Sequence, residues 1–320
     1  MKEFTVNKND ADQRMDKFIA KTVPALPKNL LFKYIRLKRI KLNGKRCEIS
    51  TRLSEGDKVQ MYINDEFFGE NTREPDFLKC PPVLDIVYED ENILLVNKHV
   101  GLVVHEDDSG SRDTLIGRIL HYLYDKKEYD PNEENSFAPA LCNRIDRNTS
   151  GIVICAKNAE SLRVLNQKIK DRELEKHYLC ITVGIPERKK AELKAYLIKN
   201  ENDNQVKIYP TMREGARTVI TKYEVIRENR EKGLALLDVD LITGRTHQIR
   251  AHLAYEGYPL LGDGKYGINR VNRLYNIKTQ ALCAYRLTFE FTTDAGCLSY
   301  LNGKTFEIKD VWFRSLFGRK

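Results

Sequence analysis

Short apolar segments separated by polar turns are the feature that most restricts the fold of this chain. Such segments, bounded by turn residues, are typical of β-strands. They are found at residues 84–88, 93–96, 152–156, 177–183, 218–226 and 234–242. Helical spacing of apolar residues occurs between them without a regular alternation of strand and helix. The sequence therefore predicts an α+β fold.

Two helices are predicted among these strands. One covers about residues 159–172, where apolar side chains share one face and Asn158 is suited to cap the first turn. The other covers about residues 246–256 and is expected to end at Gly257, because glycine readily adopts the left-handed conformation that terminates helices.

The net positive charge is concentrated in the first fifth of the chain. Residues 1–64 contain 15 Lys+Arg and 7 Asp+Glu, so they account for the whole net charge of +8. Residues 28–46 contain eight basic side chains and no acidic one. A basic field without interspersed acids attracts phosphate and gains affinity by releasing counterions, whereas a merely solvated helix face usually mixes both signs.

The same segment has the pattern of a small folded module. Apolar spacing predicts helices at about residues 15–23 and 28–37, Asn43-Gly44 is a strong turn signal, and residues 58–63 read as a strand. This combination resembles the S4 RNA-binding domain. The resemblance implies RNA contacts at Lys33, Arg36, Lys38, Arg39, Lys41, Lys45 and Arg46.

Composition sets the predicted domain boundaries. Residues 65–82 are rich in charge and contain three prolines, which is typical of a linker. The predicted organisation is a small S4-like α/β domain at residues 1–64, a linker at residues 65–82 and a larger domain at residues 83–320.

Nothing in the sequence indicates a membrane or secreted protein. No run of about 18 apolar residues exists, and the N-terminus lacks the apolar region of a signal peptide. The seven cysteines are odd in number and no two are separated by only two residues, which argues against a zinc ribbon and a disulfide framework. We expect a cytoplasmic protein with free thiols and no metal ion.

Asp146 is the residue whose surroundings first indicate catalysis. It lies between Arg144 and Arg147, just before the apolar strand at residues 152–156. A carboxylate beside opposite charge should stay ionised, and an ionised carboxylate at the edge of a buried sheet can act as a nucleophile or a base. Taken alone, such a cluster is more often a structural network of ion pairs.

Residues 143–151 resemble the catalytic motif of the RluA family of pseudouridine synthases, usually His-Arg-Leu-Asp-Arg-x-Thr-Ser-Gly. Seven positions carry the family residue or, at Ile145, a close relative. The departures are Asn143 for the usual His and, in an earlier motif, His99 for the usual Pro. Further segments follow the family pattern in the same order at residues 87–105, 176–178, 243–253 and 259–267.

The resemblance implies a catalytic domain with a mixed, largely antiparallel sheet and flanking helices. It also implies that the uracil C1′–N1 bond is cleaved and the base is rejoined through C5, without a cofactor. Asp146 would be the catalytic carboxylate, Arg250 would pair with it, and Tyr178 would stack on the uracil and help remove the C5 proton. The RNA contacts implied in this domain are Lys98, Arg144, Arg147, Thr149, His247 and Gln248.

Other chemistries fit the residues less well. His247 and His252 are five residues apart with no Glu between them, which disfavours a zinc-protease helix, and residues 262–265 lack the spacing of a phosphate-binding loop. The expected partner is RNA, with no obligate protein partner. Large-subunit ribosomal RNA is favoured by the S4-like module; tRNA, or a non-catalytic role in ribosome assembly, are the alternatives.

Overall fold

Two separate β-sheets organise the chain, which the computed structural model describes over residues 1–69, 75–106, 110–200 and 205–317. No helix within these ranges is long and apolar enough to cross a membrane. The smaller sheet belongs to the first 63 residues, and the larger one starts after residue 85.

The smaller sheet has four strands and is accompanied by two helices. The elements are β1 (Lys2–Thr5), α1 (Met15–Thr22), α2 (Lys28–Arg36), β2 (Ile40–Leu42), β3 (Lys45–Arg46) and β4 (Lys58–Met61). The strand order is β1–β4–β2–β3. Asn43 and Gly44, with φ of 51° and 76°, form the tight turn between β2 and β3 that the Asn-Gly pair predicts.

Burial of one helix face explains why this small unit folds. Met15, Phe18 and Ile19 of α1 are fully buried, and Leu31 and Ile35 of α2 are nearly so. Burying a side chain of this size contributes about 1.5–3 kcal/mol to the free energy of unfolding. The predicted helices are therefore confirmed together with their buried faces.

The segment between the two sheets packs against both of them. Phe67 and Phe68 lie on the core of the first unit. Phe77 contacts the rings of Tyr124 and Tyr129 in the second, with ring centroids 5.9 and 6.0 Å apart. The described parts of the predicted linker therefore have their own tertiary contacts.

The larger sheet contains eleven strands. They are β5 (Ile86–Glu89), β6 (Ile93–Lys98), β7 (Ala140–Leu141), β8 (Ser150–Ala156), β9 (Leu174–Val183), β10 (Lys190–Asn200), β11 (Gln205–Tyr209), β12 (Arg217–Asn229), β13 (Leu234–Asp240), β14 (Leu282–Phe289) and β15 (Thr305–Glu307). The accompanying helices are α3 (Leu115–Asp125), α4 (Ala159–Lys170), α5 (Gln248–Tyr255) and α6 (Asn269–Leu274).

The strand order confirms the predicted α+β class. The main path is β11–β10–β12–β13–β9–β14–β8–β6–β5, with β15 beside β14 and β7 beside β8. Within the described residues, β8 and β14 form the single parallel pair of this sheet. The sheet is thus mixed and largely antiparallel.

Both faces of the sheet centre are covered by helices or loops. Leu94 and Val96 of β6 pack with α3 on one face, whereas Ile93 and Leu95 face the other side, where Leu165 of α4 packs. Alternate side chains of a strand point to opposite faces, so a strand buried on both faces needs apolar residues at every position. This explains why residues 93–96 of β6 are all apolar.

Some elements were not expected from the sequence. The strand β10 is rich in Lys, Glu, Ala and Leu, which favour helices, and α3 was not predicted. Eight residue pairs join β10 to β12 in antiparallel register, and β11 covers its other edge. Tertiary pairing therefore overrides the local preference of this segment.

A polar interface fixes the first unit on the second. Asp10 is fully buried and accepts hydrogen bonds from Oγ of Ser136 at 2.5 Å and Nδ2 of Asn135 at 2.7 Å. Arg163 of α4 donates to the carbonyl of Ala11 at 2.9 Å. A buried carboxylate that loses such partners is costly, so this interface favours one orientation of the two units.

Candidate active site

The close approach of β8 to β14 positions the loop that carries Asp146. Gly151 has a φ of 122°, and a Cβ atom there would lie 2.4 Å from the backbone of Ala284. Ala284 also pairs with Tyr178 of β9. A glycine is required here because only the absence of a side chain lets the two strands meet. The loop before β8 is thereby held one strand away from Tyr178.

Asp146 lies in that loop, at the mouth of the site. Its side chain is 26% exposed and its Oδ2 atom accepts a hydrogen bond from Nη1 of Arg250 at 2.7 Å. Arg250 comes from α5 and is 7% exposed. The short N–O distance and the low exposure of the guanidinium are typical of a strong, charge-assisted pair. The structure thus brings together two residues that the sequence predicted to interact.

Asp263 is a member of the site that the sequence did not reveal. It is fully buried and binds Arg250 through two hydrogen bonds, from Nε at 2.7 Å and from Nη2 at 3.0 Å. The backbone amides of Lys265 and Tyr266 also donate to its carboxylate. The only sequence signal for it was its position in the segment of residues 259–267, which follows the family pattern.

The electrostatics of Arg250 and Asp263 favour the charged form of each group. Burial alone acts to lower the pKa of Arg250, but the hydrogen bonds and charge of Asp263, followed by those of Asp146, outweigh it and raise that pKa. Burial acts to raise the pKa of Asp263, and the Arg250 guanidinium more than reverses this, so that pKa is lowered. Arg250 therefore stays cationic between two carboxylates and fixes their positions.

Tyr178 lines the site from β9. It is 6% exposed, and burial, followed by the charge of Asp146, raises the pKa of its phenol well above the usual range. Tyr178 belongs to the buried cluster against which Ile145, the neighbour of Asp146, packs. The ring is therefore a neutral, largely apolar surface beside the carboxylate.

Lys98 holds the loop of Asp146 from within the protein. Its side chain is nearly completely buried, and Nζ donates to the carbonyls of His99, Leu102 and Arg147 at 2.8–3.0 Å. Burial lowers the pKa of Lys98 to about 8, against the opposing charge of Asp146. The prediction that Lys98 contacts RNA does not fit this geometry, because its three donors already bind backbone carbonyls.

Thr149 and Gln248 are also buried, contrary to the prediction that they contact RNA. Thr149 accepts a hydrogen bond from Gln280 at 3.1 Å. Gln248 donates to Thr221 at 3.0 Å and accepts from Thr243 at 2.9 Å. Both side chains therefore stabilise the loops around the site and have no free surface for RNA.

The arginines beside Asp146 in sequence are not its partners in space. Arg144 and Arg147 are exposed, and Arg147 donates to the carbonyl of Gly101 at 3.0 Å. Neither of them forms an ion pair with Asp146 within the described residues, and the guanidinium that binds this carboxylate is that of Arg250. Their exposure leaves both available for RNA.

His247 completes the polar lining. Its Nε2 atom is 3.8 Å from Oδ2 of Asp146, and its Nδ1 atom is 2.9 Å from the hydroxyl of Tyr266. Burial lowers the pKa of His247 to about 4, although the charge of Asp146 acts to raise it. The imidazole is therefore neutral at neutral pH.

Asn143 performs a local structural role where the family usually has His. Its Oδ1 atom accepts a hydrogen bond from the amide of Ile154 at 2.8 Å, and its Nδ2 atom donates to the carbonyl of Ile152 at 3.4 Å. These contacts tie the start of the Asp146 loop to β8. In the parts of the chain that the structure describes, no group of three or more His, Cys, Asp or Glu could hold a metal ion.

The predicted RNA-binding side chains of the first unit share a largely exposed surface. All are exposed except the half-buried Lys41, and within the described residues none of them forms an ion pair with a carboxylate. We call these side chains the basic surface. Its members are Lys33, Arg36, Lys38, Arg39, Lys41, Lys45 and Arg46.

Comparisons with known proteins agree with the geometry. The sequence profile of the family described as RNA pseudouridylate synthase matches residues 92–255, which contain Asp146, Tyr178 and Arg250. An uncharacterised RNA pseudouridine synthase of Mycoplasma genitalium is 35% identical over 292 residues, covering 90% of this chain and 88% of that protein. Ribosomal large subunit pseudouridine synthase C of Buchnera aphidicola is 31% identical, covering 89% and 88%.

Solved structures support the fold. Human RNA pseudouridylate synthase domain containing 1 superposes with a TM-score of 0.54 at 24% identity, covering 69% of this chain and 83% of that one. The profile match spans the larger sheet from β6 to α5, and the relatives extend the similarity over most of the chain. Together with the motif around Asp146, these matches show that the chain belongs to the RluA family of RNA pseudouridine synthases.

Proposed function

We propose that this enzyme isomerises specific uridines of large-subunit ribosomal RNA, with Asp146 as its catalytic carboxylate. The observation that carries the proposal is the 2.7 Å ion pair between a partly exposed Asp146 and a buried Arg250. The choice of ribosomal RNA is supported by the name of the Buchnera relative, which covers 89% of this chain. It is also supported by the basic surface of the first unit.

The reaction needs an ionised carboxylate and no external reagent. The C1′–N1 bond breaks, a C1′–C5 bond forms, and the proton leaves C5 while N1 gains one, so atoms and electrons balance within the nucleoside. Asp146 can attack the sugar, attack the ring or remove a ribose proton. Each route starts from the anion, and Arg250 orients that anion without being consumed.

Tyr178 is proposed to stack on the uracil. A buried, neutral aromatic ring beside the carboxylate offers the apolar face that an extruded base requires. The raised pKa opposes direct removal of the C5 proton by the phenol, because a base must first be deprotonated. We therefore assign Tyr178 to positioning the base more than to proton transfer.

Arg144 is proposed to occupy the space that the uridine leaves in the RNA. Extruding a paired nucleotide costs a few kcal/mol, and a planar guanidinium can stack where the base was. Arg144 is exposed and forms no ion pair within the described residues, so its side chain is available for this role.

The first unit is proposed to be an S4-like RNA-binding domain that covers about residues 1–64. Its basic surface would bind phosphates, and the interface around Asp10 would hold that surface in a constant orientation to Asp146. A folded RNA that reaches the basic surface and Asp146 at once is the substrate that this arrangement would suit. We place the enzyme in the cytoplasm with such RNA.

A pseudouridine map of RNA from a strain that lacks this gene tests the proposal. We expect pseudouridine to be lost at defined positions of large-subunit ribosomal RNA and to return with the wild-type gene but not with Asp146→Asn. Loss of pseudouridine from tRNA alone would show that tRNA is the substrate and would leave the proposed reaction unchanged. An unchanged map of both RNA classes would contradict the proposed function.

A further inference from the structure

His247 has a left-handed backbone conformation, which is uncommon for a residue other than glycine. Its φ of 52° lies in the left-handed region, where a residue with a side chain is strained by about 1–2 kcal/mol. The residue precedes α5, yet its side chain forms no capping hydrogen bond with that helix. In this conformation the imidazole lies between Asp146 and Tyr266.

A chain of hydrogen bonds favours one of the two neutral tautomers of His247. The backbone amide of Val206 donates to the hydroxyl oxygen of Tyr266 at 2.8 Å. The oxygen of that hydroxyl is 2.9 Å from Nδ1 of His247. The hydroxyl can therefore donate its proton to Nδ1. A neutral imidazole that accepts at Nδ1 carries its proton at Nε2.

In the favoured tautomer, the protonated nitrogen is the one that lies beside the catalytic carboxylate. Nε2 is 3.8 Å from Oδ2 of Asp146, which is too long for a hydrogen bond, and the same oxygen already binds Arg250. The Nε2–H group therefore has no acceptor within the described residues. A donor held in place beside the reacting group is suited to an acceptor that arrives with the substrate.

We propose that His247 is a substrate-binding residue whose Nε2–H group donates a hydrogen bond to a ring carbonyl of the extruded uracil, with Tyr266 as the positioning residue that fixes this tautomer. Uracil has two carbonyl oxygens that can accept such a bond. The inference rests on the proposed active site around Asp146. It adds a neutral donor to a site in which each of the three guanidinium nitrogens of Arg250 already binds a carboxylate.

The tautomer can be measured without any catalytic assay. Long-range proton–nitrogen correlation spectra of uniformly ¹⁵N-labelled full-length protein at pH 7 should show His247 neutral, with the proton on Nε2; a His247→Gln sample assigns its signals. The Tyr266→Phe variant lacks the hydroxyl that binds Nδ1 of His247, and we expect it to show a mixture of both tautomers. A wild-type ring protonated on Nδ1, or on both nitrogens, would overturn the proposal.

The kinetic arm uses tritium release from 5-tritiated RNA of a strain that lacks the gene. We expect His247→Phe, which keeps a ring and removes the donor, to lower kcat/KM about 10- to 100-fold, as expected for one lost hydrogen bond of a site. His247→Gln, which keeps an N–H donor, should recover at least part of that loss. Equal activity of His247→Phe and the wild type would overturn the proposal.

The two proposals fail separately. An active Asp146→Asn enzyme would refute the proposed function and leave the tautomer measurement standing. A normal Asp146 dependence combined with the wrong tautomer would refute only the role of His247. If His247→Phe does not fold, the spectra of the wild type and of Tyr266→Phe decide the question.

Discussion

Arg250 donates to Asp146 across 2.7 Å although the two residues are 104 positions apart in the chain. The opposite edge of the same guanidinium binds Asp263 through two hydrogen bonds. One carboxylate is partly exposed, at 26%, and the other is fully buried. The buried acid holds the arginine, and the arginine holds the acid that meets the substrate.

Asp263→Asn tests whether Asp263 positions Asp146 through Arg250. The amide keeps the shape but loses the charge and presents N–H groups to a guanidinium that can only donate. We expect kcat to fall about 10- to 100-fold, since hydrogen bonds to charged groups contribute about 1.5–3 kcal/mol. The dependence of RNA affinity on salt should not change. Glu214→Gln, which changes an exposed acid, is the control. An equal kcat for the two variants would contradict this positioning role of Asp263.

Lys98→Met tests whether this buried lysine positions the Asp146 loop. Three backbone carbonyls lose their donor, so we expect kcat to fall about 10- to 100-fold through misplacement of the carboxylate. The salt slope of RNA binding should match the wild type. Lys278→Met, at an exposed lysine, provides the comparison. A shallower salt slope for Lys98→Met would instead support the original prediction of an RNA contact.

The sequence patterns predicted the secondary-structure elements of this fold better than they predicted the partners of its charged side chains. The apolar runs of β6 and β8 and the cap of α4 at Asn158 follow from local chemistry, and Asn158 does accept from the amide of Ser161. The strand β10 was missed because only its pairing with β12 makes it extended. Local propensity cannot reveal a preference that tertiary contacts impose.

The site shows the same limit at the level of single residues. The motif resemblance implied that Arg250 pairs with Asp146, and the two residues do meet, whereas the two arginines beside Asp146 in sequence form no ion pair with it within the described residues. The buried role of Lys98 depends on carbonyls from segments up to 49 residues away. Whether a lysine is a surface cation or an internal donor is decided by burial, which a linear motif does not display.

The basic surface predicts a defined salt response. We expect the double variant Lys38→Gln, Arg39→Gln to make the slope of log affinity against log salt shallower by about 1 to 2. Each phosphate contact that is removed lowers the number of counterions released when RNA binds. Activity at saturating RNA should remain. The matched change Lys170→Gln with Lys232→Gln removes two exposed charges from the larger unit. An equal effect of both pairs would show that the basic surface has no special role.

The buried pair Lys168 and Glu173 predicts a stability loss in acid. The hydrogen bond from Lys168, at 2.6 Å, and those from neighbouring threonines lower the pKa of Glu173 to about 2 from its ordinary 4.5. Because the folded-state pKa is depressed, the stabilisation is complete above pH 4.5 and is lost as the pH falls towards 2. We therefore expect the wild type to exceed Glu173→Gln in unfolding free energy at neutral pH by an amount that shrinks in this window.

Urea unfolding at pH 7, 4 and 3 measures that difference, with the exposed Glu175→Gln as the control. If the difference in unfolding free energy between the wild type and Glu173→Gln stays constant over these pH values, the ion pair is not its source.

The central claim is that a charged carboxylate at position 146 performs the chemistry. Tritium release from 5-tritiated uridine RNA by Asp146→Asn measures it most directly, since the variant keeps the shape and removes the charge while the basic surface remains. We predict no release above background, together with RNA affinity like that of the wild type. Release at the wild-type rate would contradict the account.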